Sequence, residues 1–141
     1  MHLILPAEAH EAIVRHLVSE LPNEGCGLLA GPKPGEVRMV YPLGNVRRSR
    51  TSFTVDPTGH FRAMQHAERR GWQVNGVFHS HPASAPEPSP TDVRLAHEPE
   101  WVHVLVGLSD PAKPEMRAFR IVDDAVFEVP VRRPRGEDGG S

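Results

Sequence analysis

The sequence contains one cysteine, Cys26. A single thiol excludes an internal disulfide and removes the usual argument for secretion. The N-terminal stretch lacks the apolar core of a signal peptide, and no apolar run is long enough to span a bilayer. The expectation is a cytoplasmic protein with no membrane contact. An excess of charge of one sign is also missing. Sixteen Lys and Arg against eighteen Asp and Glu leave a net charge of -2, which argues against nucleic acid as a partner. Arg47, Arg48 and Arg50 form a small basic cluster, to be read as a solvated loop or as a docking spot for an acidic partner. Two familiar zinc signatures are absent as well. There is no His-Glu-x-x-His, and one cysteine cannot supply the Pro-Cys-x-x-Cys of the nucleobase deaminases.

No internal repeat or inner linker divides the 141 residues, so one domain is expected over residues 1–130 and a flexible tail over 131–141. A hydrophobic fraction of 38% with 24% charged residues is that of a globular protein rather than a disordered one. Strand patterns at 2–5, 25–31, 35–42, 53–55, 73–78, 101–108, 115–121 and 125–129 alternate with three helical patterns. The first helix opens at Pro6 and carries Ala9, Ile13, Leu17 and Leu21 at helical spacing until Pro22. The second starts at Asp56-Pro57, with Asp56 as N-cap and Phe61, Met64 and Ala67 on one face, and ends at Gly71. A short third helix runs from Pro90 to about Glu98. The four prolines of residues 82–90 exclude regular structure before it. The class is therefore α/β with a mixed sheet, two longer helices and one short helix.

The chemistry lies in Gly76-Val77-Phe78-His79-Ser80-His81-Pro82 and Ser89-Pro90-Thr91-Asp92. At a strand end, residues i and i+2 face the same way, so His79 and His81 can grip one metal ion. Asp92, at the start of the next helix after a loop that can fold back, offers a third ligand. Two imidazoles and a carboxylate leave one tetrahedral position open, the arrangement of a catalytic zinc site. Taken singly, these residues have plainer readings. Ser89 is a natural N-cap before Pro90, Glu24 an exposed residue after Pro22-Asn23, and Cys26 a small buried residue. His97 and His103 read as structural or surface groups.

The order His79-x-His81, ten residues, then Asp92, with Ser89 three before it, resembles the JAMM motif of the MPN-plus metalloproteases. The stretch from Pro22 through Glu24, Gly25 and Cys26 to Gly31 is similar to the short bacterial members, as is Asn45 followed by Phe53-Thr54-Val55-Asp56-Pro57. The resemblance covers residues 1 to about 130. It implies a single MPN-like domain with a curved mixed sheet. It implies one Zn2+ per chain on His79, His81 and Asp92. Glu24 would hydrogen-bond the zinc-bound water, take its proton and return it to the leaving amine, and Ser89 would donate to the oxyanion. Members that remove ubiquitin carry insertions beside the site, and the short connection at 109–114 leaves little room for one. The implied substrate is a small ubiquitin-like sulfur-carrier protein or its conjugates, cut after a C-terminal Gly-Gly. The alternative within the family is a non-catalytic MPN scaffold that binds a protein partner. An exposed first helix would support a homodimer. The chain's own last residues, Gly139-Gly140-Ser141, imitate such a substrate end and could occupy the groove.

Overall fold

The computed structural model describes residues 1–137. The Gly139-Gly140-Ser141 motif and its suggested place in the groove therefore lie outside the described residues. Eight strands and three helices follow in the order β1 (Leu3–Ile4), α1 (Ala7–Ser19), β2 (Cys26–Gly31), β3 (Met39–Leu43), α2 (Pro57–Arg69), β4 (Gln73–His81), α3 (Pro90–Leu95), β5 (Val102–Gly107), β6 (Glu115–Val122), β7 (Ala125–Val129) and β8 (Val131–Arg132). Six strands form one mixed sheet in the order β3-β2-β4-β5-β6-β7. Only β4 and β5 in it run parallel, joined by the crossover that contains α3, as a parallel pair requires. The α/β class expected from the sequence is the one found. No helix among the described residues is long and apolar enough to cross a membrane.

The two longer helices cover opposite faces. On one side Ile13 and Leu17 of α1 pack with Leu29, Phe78, Val104 and Val106 in the main core. Their i, i+4 spacing puts both on the stripe that faces the sheet. On the other side Ala63 of α2 packs against Leu28 and Val77. The sequence pattern predicts Phe61 and Met64 with Ala67 on the buried face of α2. Instead Ala63 and Ala67 are buried, while Phe61 is 60% and Met64 42% exposed. The small alanines at i, i+4 let the helix lie close on the sheet, and the larger side chains are turned outward. Asp56 caps α2 as expected, accepting from the Gly59 amide at 3.3 Å.

Other departures are local. Strand β4 continues through His81, because β2 and β5 pair with it along the way. Residues 35–38 leave the β3 ladder to meet β1, with Val37 N–H donating to Ile4 O at 3.0 Å. The 53–55 segment forms only one bridge, Val55 to Asn45, rather than a strand. Helix α3 stops at Leu95, since Ala96 is extended. The boundary expected at residue 130 falls inside ordered chain: β8 pairs parallel with β1, with Leu3 opposite Val131 and Ile4 opposite Arg132.

Candidate metal centre

Three segments converge at the C-terminal end of β4. His79 and His81 alternate with Ser80, so both imidazoles emerge on one face while Ser80 is turned away and fully buried. Ser80 in turn anchors the neighbouring strand. Its Oγ accepts from Gly25 N–H at 2.9 Å, and its N–H donates to Gly25 O at 3.1 Å. That double link fixes the residue after Glu24. Glu24 is further held by its own N–H to Ser49 O at 2.7 Å and by Asn45 Nδ2 on its carbonyl at 2.9 Å. The loop over residues 45–52 thus acts as a brace for the acid. A carboxylate oxygen of Glu24 and one ring nitrogen each of His79 and His81 all lie within 4.8 Å of one another.

Asp92 enters from α3. Its Oδ2 lies 3.3 Å from His79 Nε2 and 3.4 Å from His81 Nε2. The same oxygen accepts from Ser89 N–H at 2.8 Å, while Ser89 Oγ accepts from Asp92 N–H at 3.0 Å. This capping box ties the carboxylate to the first turn and makes Ser89 the N-cap. His81 Nδ1 meets Ala85 O at 2.8 Å. A carbonyl can only accept, so Nδ1 carries the proton, and in the neutral ring Nε2 keeps its lone pair free for a cation. Phe53 stacks on His79 with ring centroids 4.4 Å apart and fixes that ring's plane.

The electrostatics follow from burial. Burial pushes the Glu24 carboxyl up to about 7, partly offset by His81 and reinforced by Asp92. Burial also lowers His79, against the pull of Asp92. For His81 burial acts downward too, but Asp92 and the Ala85 carbonyl outweigh it and its pKa is raised. Burial works against the Asp92 anion, but the two imidazoles outweigh it and hold its carboxyl well below the usual range. Cys26 is buried, its Sγ lies 3.5 Å from Gly44 O, and burial pushes its thiol up to about 12, so it is a packing group.

The two histidines, Asp92, Glu24 and Ser89 picked out in the sequence are therefore brought to one place. Sequence reasoning missed Phe53, read as a strand residue, and Ser80, Asn45 and Ala85, whose contacts depend on partners distant in the chain or on loop shape. His103 is buried, with no hydrogen-bond partner at Nε2 among the described residues.

Comparison with known proteins fits this geometry. The family described as prokaryotic homologs of the JAB domain matches residues 6–122. A CysO-cysteine peptidase of Mycobacterium tuberculosis is 38% identical over 130 residues, 92% of this chain and 89% of that protein. A probable TtuB-protein conjugate cleaving protease of Thermus thermophilus is 39% identical over 95 residues, 67% of this chain and 63% of that protein. Among solved structures, a protein from Desulfitobacterium hafniense superimposes with a TM-score of 0.84 at 36% identity, covering 93% of this chain and 92% of its own. With its site geometry and its match along most of the chain, this protein belongs to the prokaryotic JAB-domain family, the short prokaryotic branch of the JAMM peptidases.

Proposed function

We propose that the chain hydrolyses the peptide or isopeptide bond after the C-terminal Gly-Gly of a small ubiquitin-like sulfur-carrier protein, using one zinc ion held by His79, His81 and Asp92. The observation that carries this reading is the state of His79. It is 1% exposed, neither ring nitrogen has an aligned hydrogen bond among the described residues, and Nε2 nevertheless faces a carboxylate oxygen at 3.3 Å. Buried polar atoms left unpaired are costly. A cation between two imidazoles and a carboxylate removes that cost, and the donor set suits zinc. When bound there, zinc polarises the scissile carbonyl and lowers the pKa of water from 15.7 to about 7.

The chain's own residues do the rest. Glu24 takes the proton of the attacking water and returns it to the leaving amine. Its carboxyl, raised by burial to about 7, is suited to holding and releasing a proton near neutral pH. Ser89 Oγ uses one lone pair on the Asp92 amide and keeps its hydroxyl proton, which it donates to the oxyanion. Phe53 and Ala85 keep the imidazole planes in register with Asp92. The substrate class rests on the family and on the short 109–114 connection, and the released group is an amino acid or a lysine of a conjugated protein. We place the reaction in the cytoplasm.

The test combines metal analysis with cleavage. Purified wild type should carry about one zinc per chain, and His79→Ala and Asp92→Ala should lose it, because each removes one of three protein ligands. Wild type should cleave a fusion joined through the Gly-Gly end of a ubiquitin-like protein, and a chelator should stop it. Unchanged zinc in both variants would sink the ligand assignment.

A further inference from the structure

The loop over residues 82–89 decides where two of the three proposed ligands point. Ala85 O fixes the His81 ring, and Ser89 ties down Asp92. The loop has a floor: Pro86 is buried over Gly107, where an added Cβ would stand 2.9 Å from Pro86 Cδ and 3.3 Å from Ser84 O. It also has an outer fastening. Glu87 Oε1 accepts from Arg117 Nη1 at 3.0 Å. Among the described residues this is the one side-chain hydrogen bond that links residues 82–88 to strands other than β4.

Arg117 is itself fixed. Its Nη2 and Nε donate to Glu128 at 2.6 and 3.2 Å, and its guanidinium lies over the Phe119 ring at 5.2 Å. It stands on β6 opposite Leu105, which stands opposite His79, so the three share one row across the sheet. A two-point Arg–carboxylate pair sets direction as well as attraction. We propose that Arg117 is a positioning residue: anchored by Glu128, it holds Glu87 and thereby the 82–89 loop in the form that aims His81 and Asp92. The chain of contacts runs from Glu128 through Arg117 and Glu87 to Ala85 and His81. Exposed ion pairs contribute little to stability, so the effect belongs to the geometry of the site rather than to the fold.

The experiment uses wild type, Arg117→Ala, Glu87→Ala, the double variant and Arg117→Lys. Zinc release from each loaded protein into a chelator should be roughly three- to tenfold faster in either alanine variant, below the 10–100-fold effects of groups that touch a ligand directly. The double variant should be no faster than the faster single one, since both cut the same link. Arg117→Lys, with charge but no fork, should fall between. Turnover should drop with the Michaelis constant little moved, and the melting temperature should stay near that of wild type. In metal-free protein the His81 Nδ1 proton should give a slowly exchanging imidazole signal in wild type that is lost in both alanine variants. The proposal rests on the metal reading above, yet the two fail separately. A wild type that takes up no zinc contradicts the metal reading, and the metal-free signal still judges the clamp. Release rates and imidazole signal equal to wild type in both single variants overturn the clamp, as does a double variant whose effect is the product of the two.

Discussion

At the scale of the residue, burial decides which side chains can titrate and in which direction. Glu24 and His103 are both buried, and both are displaced toward their neutral forms. His103 is lowered from 6.5 to about 4, first by burial and then by the charge of His79. Its folded pKa lies below its unfolded one, so the stability tied to it is present above pH 6.5 and is lost as pH falls toward 4. At pH 5 the unfolded ring binds a proton that the folded ring does not, a difference of about 2 kcal/mol. Metal-free wild type should therefore lose about 2 kcal/mol more than His103→Leu between pH 7 and pH 5, measured by urea unfolding. Parallel pH profiles would show that His103 is protonated without penalty. The residues that converge at the candidate site were legible in the sequence because side chains able to bind a metal or carry a proton come from few amino-acid types, here at short spacing. Phe53 was not, since an aromatic residue in a short strand pattern carries no sign that it will stack on a histidine 26 positions later.

At the scale of the element, the six-residue helix α3 is too short to be stable by itself, and its capping box is what starts it. Ser89 thus has a capping duty and, in the proposed reaction, a second one that can be separated from it. Removing the cap should cost about 1 kcal/mol of stability. Removing an oxyanion donor should lower turnover by about 10²–10³-fold. Ser89→Ala is expected to show both effects with zinc retained, and Ser89→Thr to recover the cap. A Ser89→Ala enzyme with wild-type turnover and a lowered melting temperature would leave only the structural duty. Element positions were well marked by proline, glycine and apolar period, as at Pro6, Asp56-Pro57 and Pro90. Element faces were read less well. The period of α2 fits either an alanine stripe or a Phe61–Met64 stripe, and only packing on Leu28 and Val77 chooses the alanines.

At the scale of the whole molecule, the two ends of the described chain are joined. Leu5 N–H donates to Arg132 O at 2.8 Å, and Arg133 Nη1 donates to Leu5 O at 3.1 Å. Leu3 and Leu5 are buried core residues, so these bonds secure the strand that closes the main core. Ending the chain after residue 130 should cost about 2–3 kcal/mol against the full chain, at about 1 kcal/mol for each bond lost, measured by urea unfolding. Equal stability of the truncated and full chains would restore the boundary at 130. Pairing between residues some 130 positions apart leaves no local trace in sequence, which is why the β1–β8 ribbon was not foreseen although the α/β class was.

The central claim is that Glu24 moves protons at a site whose metal is held by other residues. Glu24→Gln keeps the size of the side chain and its place under Ser49 and Asn45, but cannot take up a proton near neutral pH. The decisive measurement is single-turnover cleavage of a Gly-Gly-linked substrate by matched zinc-loaded wild type and Glu24→Gln, with zinc content and melting temperature recorded on the same preparations. Equal zinc and equal stability with cleavage slowed by at least about 100-fold is the predicted result. A fully metallated Glu24→Gln protein that cleaves as fast as wild type would contradict it.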